Sequence, residues 1–221
     1  MGDRAAKNAL FAEFAAVGRA LANAGRLELL DHLAQGPRSV EELAAAADMG
    51  LSTCSAHLQS LRAAGLVAST RQGRRVINHL TDEDVAELLV GLRAVAQRHH
   101  PGTDRASRAY LGPDDTEAIS RTDLLARVRA GDVVVLDVRP RVEYQSGHLP
   151  GALSIPVEEL ADRLHEIPPG TEVVAYCRGA YCVLAHEAVR HLNAHGFRAR
   201  RAEDGALEWR TAGLLRAPGA A

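Results

Sequence analysis

A chain of 221 residues, 47% hydrophobic and 24% charged, suits two small globular domains better than one, and with aromatics at only 4% the cores must be built from Ala, Leu and Val. No apolar run approaches the roughly twenty residues of a membrane-spanning helix, and the amino terminus lacks a signal peptide's apolar stretch and cleavage site, so a cytoplasmic protein without a membrane partner is expected. The net charge of −2 names no partner, and three cysteines without a spaced framework fit a reducing compartment where thiols serve chemistry or packing.

Phe11, Phe14, Val17 and Leu21 form an apolar stripe at helical spacing, and Leu27, Leu29, Leu30 and Leu33 continue it until Gly36 and Pro37. Ser39 and Glu42 match a capping box at the start of a short helix. Met49 and Gly50 mark a tight turn into a further helix, roughly 52–64, which Gly65 ends. Helix, short turn, helix is the arrangement that places its second helix in a DNA major groove. Two strand-like runs follow around Gln72 and Gly73, with Arg71, Arg74 and Arg75 at or near the tip, which completes a winged helix.

The exposed side of the second helix, Ser52, Thr53, Ser55, His57 and Gln59, offers hydrogen-bonding groups to bases and backbone, while the wing arginines reach flanking phosphates. Between Asp48 and Asp82 there is no acidic residue, whereas Arg62, Arg71, Arg74 and Arg75 all fall there, beside His57 and His79. The competing reading is a solvated hairpin beside an ordinary surface helix, since helix-turn-helix shapes are reused without DNA. A last helix, 82–100 and capped at Thr81, carries Val85, Leu88, Leu89, Leu92 and Val95 on one face. Pairing with the first helix and with its copy in a second chain would cover that face, giving a homodimer that meets a palindromic double-stranded operator.

The segment ADMGLSTCSAHLQSLRAAGLV followed by RQGRRV resembles the recognition helix and wing of ArsR/SmtB-type repressors. Many of those sense metals, but the paired cysteines ahead of the recognition helix are absent here, where 43–47 reads Leu-Ala-Ala-Ala-Ala. Cys54 is alone, and lies on the Leu58 and Leu61 side of its helix as a buried structural thiol. His99 and His100 have no Asp-x-His partner and face different ways. Neither a metal nor a cofactor is expected.

Pro101 with Gly102, and Gly112 through Asp115, break the chain on either side of an ambiguous stretch. The expected organisation is a mainly α winged helix-turn-helix domain for DNA binding and dimerisation at 1–100, a linker at 101–116, and an α/β domain with a parallel sheet at 117–221. In the last part a helix near 121–129, a strand at 133–136, a helix at 156–164, a strand ending at Cys177 and a helix from Cys182 alternate, as a covered parallel sheet requires. Between the final strand and helix, Arg178, Gly179, Ala180 and Tyr181 make a short loop. Its backbone N–H groups should cradle an anion and favour thiolate at Cys177, lowering its pKa from about 8.5 to about 6.5.

LDVRPRVEYQSGHLPGALSIP resembles the rhodanese signature, and DGALEWRTAGLL resembles the motif closing that fold, although Ala206 and Leu207 replace the usual Leu-Pro. The resemblance implies that Cys177 accepts a sulfane sulfur, becomes a persulfide held by loop amides, and passes the sulfur to an acceptor thiol. Oxyanion-cleaving relatives need an Arg six positions after the Cys, where this chain has Val183. Arg178 would draw a donor such as thiosulfate, a persulfide or a polysulfide and help stabilise the thiolate. Cys182 either resolves or takes up sulfur from Cys177, or merely packs beneath the helix.

Asp137, Arg139 and His148 are expected to hold the loop and turn in place. His165, His186, His191 and His195 read as surface helix residues, and Gly147, Gly151, Gly179 and Gly205 as tight turns or close approaches. Two functions of different class follow: a transcriptional regulator whose rhodanese domain senses or transfers sulfane sulfur, or primarily a thiosulfate/polysulfide sulfurtransferase whose first domain serves for dimerisation or docking.

Overall fold

The computed structural model describes residues 3–113 and 115–216. Asp114, part of the second expected break, lies outside them. The chain divides into two units, Met1–Gly91 and Leu92–Ala221.

In the first unit, α1 (Arg4–Leu21) begins at Asp3, whose carboxylate accepts the Ala5 N–H at 2.8 Å. The apolar stripe that the spacing carries through to Leu33 is cut at Asn23. Its side chain accepts the Arg26 N–H at 3.0 Å and starts a separate helix, α2 (Ala24–Ala34), while the Arg26 guanidinium turns back onto the Arg19 and Ala20 carbonyls. β1 (Arg38–Ser39) leads into α3 (Val40–Ala46). The capping box forms as its sequence requires: Glu42 N–H donates to Ser39 Oγ at 3.2 Å, and Ser39 N–H donates to the Glu42 carboxylate at 2.8 Å.

Then come α4 (Leu51–Ala63) and a hairpin of β2 (Val67–Gln72) and β3 (Arg75–Leu80), antiparallel in register from Val67 opposite Leu80 to Gln72 opposite Arg75. Gly73 supplies the positive φ at the tip, 62°. Leu29, Leu30, Leu33, Leu43, Cys54, Leu58 and Leu61 fill the core, each large side chain contributing about 1.5–3 kcal/mol of burial. Asn78 on β3 is buried and donates to the Arg38 carbonyl, fixing β1 beside the hairpin. α5 (Glu83–His99) crosses the division between the units. The side chain that meets its first N–H is Asp82, not Thr81: Glu83 N–H reaches Asp82 Oδ1 at 2.6 Å, and the Thr81 N–H is spent on Leu66 O.

In the second unit the stretch left ambiguous by the sequence is helical, α6 (Gly102–Leu111). After it come β4 (Ala118–Ile119), α7 (Arg121–Ala130), β5 (Val133–Asp137), α8 (Arg141–Ser146) and β6 (Leu153–Ser154). The helix expected over 156–164 is broken into one-turn 3₁₀ pieces at Val157–Glu159 and Leu164–Glu166 around a short α9 (Leu160–Arg163), with Leu160 buried in the core and Val157 and Leu164 packed against it. β7 (Glu172–Tyr176), α10 (Val183–Ala194), β8 (Arg198–Ala202) and α11 (Ala206–Thr211) complete it.

The five strands form one parallel sheet in the order β4-β8-β7-β5-β6. Alternation along β7 feeds both faces. Val173, Ala175 and Cys177 join Leu160, Ala188, Val189 and Leu192 on one side, and Val174 and Tyr176 join Leu124 and Trp209 on the other. Both faces being covered, functional groups are left to the carboxyl ends of the strands.

Candidate functional site

Cys177 follows β7 directly, and the five-residue excursion to Cys182, the N-cap of α10, is pinned from below. Ala206 N–H donates to Cys177 O at 2.8 Å, Leu207 N–H donates to Arg178 O at 2.9 Å, and Cys182 N–H closes onto Gly179 O at 3.0 Å. A proline at position 207 would have no N–H to give, so Leu207 supplies a strut that it could not. Gly205 lies against the backbone of Gly179 so tightly that any Cβ there would collide with it.

The Cys177 thiol donates to Cys182 O at 3.4 Å and lies 3.9 Å from Gly179 O. The lowering of the Cys177 thiol expected from the loop amides does not follow. Cys177 is 2% exposed, and burial outweighs the Gly179 and Ala185 amides and pushes its thiol well above the ordinary value. Cys182 moves the other way: the hydrogen bond from Cys177 holds it below the ordinary thiol value, with the Arg178 and Leu184 amides and the Arg178 charge adding to that.

Arg178 was expected to offer its charge to a donor anion. It is instead held bidentate by Glu143 of α8, whose side chain is fully buried, with Nη2 to Oε1 at 2.8 Å and Nε to both oxygens at 3.1 Å. Glu143 was not singled out in the sequence beyond its place in the signature. Gly179 faces the Glu208 carboxylate of α11 and the Arg93 guanidinium, both within 3.4 Å of where its Cβ would be, and burial raises the Glu208 carboxyl. Tyr181 donates its hydroxyl to Gln97 Oε1 of α5, and Gln97 in turn donates to Asp104 at 2.7 Å, both within the second unit. Ala180 lies in the loop without a side-chain role.

Asp137 and Arg139 form a buried bidentate pair, and Arg139 also donates to Gly147 O at 2.8 Å, tying the end of β5 to the following turn. His148 stacks on Tyr144 and bonds its carbonyl at 2.9 Å. The surface reading fails for His186: it is 4% exposed and shares a 3.1 Å hydrogen bond with Thr116 Oγ1. Its spacing, four after Cys182 and three before Val189, carries the signal, since that is the buried stripe of α10.

In the first unit Ser52, Thr53 and Gln59 are exposed on α4, as are Arg71, Arg74 and Arg75 on the wing. Ser55 is half-buried, and so is His57, whose imidazole is turned toward Gly25 of α2, so the structure does not bring these two onto the open face with the others. Cys54 is fully buried, its sulfur 3.7 Å from Val40 O, and burial raises its thiol.

A three-helix core with a β-wing, and a five-stranded parallel sheet carrying a cysteine loop at its carboxyl edge, define a winged helix-turn-helix protein joined to a rhodanese-like domain. Residues 23–69 match the model of the bacterial regulatory protein, arsR family, and residues 120–212 match that of the rhodanese-like domain. The HTH-type transcriptional regulator Rv0324 of Mycobacterium tuberculosis is 50% identical over 94% of this chain and 92% of its own length. This chain belongs to that family of ArsR-type transcriptional regulators with a carboxyl-terminal rhodanese domain. A sulfurtransferase of Allochromatium vinosum is 32% identical over 38% of this chain and 77% of its own. The solution structure of a homodimeric winged helix-turn-helix DNA-binding domain from Mycobacterium bovis is 47% identical over 45% of this chain and 91% of its own, with a TM-score of 0.42.

Proposed function

We propose that this regulator binds a double-stranded operator as a homodimer and that a sulfane sulfur carried at Cys177 changes its affinity for that operator. The observation that carries the reading is a braced loop holding two buried cysteines, Cys177 with its thiol on Cys182 O at 3.4 Å, within a transcriptional regulator. A persulfide on Cys177 adds an atom to a side chain that is buried in the packed core, and the loop shifts to take it. Tyr181 then carries the shift to Gln97, because its hydroxyl is bonded to that side chain on α5.

Dimerisation is supported by the apolar residues left exposed on α1 and α5: Leu10, Phe11 and Phe14 on the first, Leu88, Leu92 and Val95 on the second. On DNA, Ser52, Thr53 and Gln59 would face the groove and Arg71, Arg74 and Arg75 the phosphates. The alternative, a sulfurtransferase whose first unit only dimerises or docks, is favoured by one observation, the likeness of the second unit to a sulfurtransferase.

Titration of labelled upstream promoter DNA at rising salt tests the proposal. Contact with about six phosphates gives a log affinity against log salt slope near −5. Absence of any specific binding at low salt would leave the sulfurtransferase reading standing.

A further inference from the structure

The helix α6 has no part in the function proposed above, and it adds nothing to the core. None of its ten residues is buried, although it runs beside α10. Asp104, Ser107, Arg108 and Leu111 are spaced as one face of a helix, and all four border a cavity of about 990 Å³ within the second unit. A helix laid on a core turns an apolar stripe inward, whereas this face carries a carboxylate, a hydroxyl and a guanidinium onto open space.

The sheet and its covering helix line the same cavity with Arg201 of β8 and His186 of α10. Both are set by Thr116, which is buried: Arg201 Nε donates to Thr116 Oγ1 at 3.3 Å, and that oxygen lies 3.1 Å from His186 Nδ1. His186 is 4% exposed in the buried stripe of α10, where an aliphatic side chain would avoid the cost of burying an imidazole. A polar wall on the sheet side and a polar helix face beside it, with space left between them, are what a polar ligand needs and what a core does not.

Size and charge narrow the ligand. The volume lies at the upper end of the roughly 300–1,000 Å³ of small-molecule sites. Arg108 and Arg201 bring two guanidiniums to it, while among the described lining residues the carboxylate is Asp104, which already accepts the Gln97 side-chain amide at 2.7 Å. The excess charge is positive, and guanidiniums grip carboxylate and phosphate oxygens through paired N–H groups. We propose that this cavity is a binding site for a small polyanion, its carboxylate or phosphate oxygens held between Arg108 of α6 and Arg201 of β8. The occupant is bound and not transformed, and no sulfur chemistry at Cys177 is required.

Isothermal titration calorimetry of the full chain with citrate and, separately, with inorganic pyrophosphate tests the site, the first probe carrying carboxylates and the second phosphates. At least one should bind saturably at one site per chain, and the tighter of the two names the anion class. Arg108→Ala removes a guanidinium from an exposed position, and Ser107→Trp fills the cavity from a helix with no buried residue, so both variants should fold. Each should weaken binding at least about tenfold. Arg105→Ala takes the same charge from an exposed position of α6 that does not line the cavity, and should leave binding unchanged. No saturable binding of either probe, undiminished binding in either cavity variant, or an equal loss in Arg105→Ala overturns the proposal.

Discussion

Gly205 sits against Gly179 with no space for a side chain between them, and this contact joins the turn before α11 to the cysteine loop. Gly205→Ala must push the two backbones apart and stretch the bonds from Ala206 and Leu207 to the Cys177 and Arg178 carbonyls. Overpacking of this kind costs about 1–3 kcal/mol. Denaturant unfolding followed through Trp209 should show that loss, together with reduced sulfur uptake. Unchanged stability and uptake would mean that the loop is not braced from α11.

The Arg178–Glu143 pair sets a second expectation. Glu143→Gln removes a carboxylate buried in the domain but leaves an Arg that is 23% exposed and can turn to water. The stability loss should therefore fall below the roughly 3–5 kcal/mol of a fully buried broken pair. The released guanidinium should also improve use of thiosulfate relative to a hydropersulfide, seen as a lower KM for thiosulfate. An unaltered preference would show that the pair does not govern donor charge.

Glu208 gives a pH dependence with a definite sign. Burial raises its carboxyl in the folded protein above the unfolded value. The stabilising contribution is therefore fully present below the unfolded pKa and is lost as pH rises through the folded one. Glu208→Gln keeps an acceptor for the Gly205 N–H, now bonded at 2.9 Å, and removes the titration. As pH rises above the ordinary Glu value of about 4.3, the native protein should lose stability relative to this variant, measured by urea midpoints at each pH.

Much of the first unit was legible because its signals are local. The Ser39–Glu42 box, the Gly65 stop and the wing lie within a few residues of what they control. Asn23 was missed because the apolar spacing runs on past it, although an Asn at that point is itself a helix-start signal. In the second unit β5, β7, the loop and both cysteines followed from alternation and from the signature, whereas the short or edge strands β4, β6 and β8 were not singled out. The raised Cys177 thiol and the pairing of Arg178 did not follow: the first depends on burial and the second on Glu143 reaching Arg178 from 35 residues away, and neither is written into the loop itself. The tie from Tyr181 to Gln97 spans 84 residues and has no sequence signal.

The wing predicts a graded loss on DNA. Arg74→Ala and Arg75→Ala should each weaken operator binding uniformly across sequences and reduce the salt slope by about 1 per phosphate contact removed. Gln59→Ala should alter sequence preference with little change in slope. Fluorescence anisotropy with matched and scrambled duplexes separates the two effects; equal slopes for all three variants would remove the wing from the interface.

The most direct measurement is operator affinity of one protein preparation before and after hydropersulfide treatment, with the Cys177 persulfide counted by mass spectrometry in the same sample and Cys177→Ser as control. The account predicts a change of about 5- to 150-fold that tracks occupancy of Cys177, is reversed by a thiol reductant, and is absent in the control. Full occupancy of Cys177 with an unchanged affinity would contradict it.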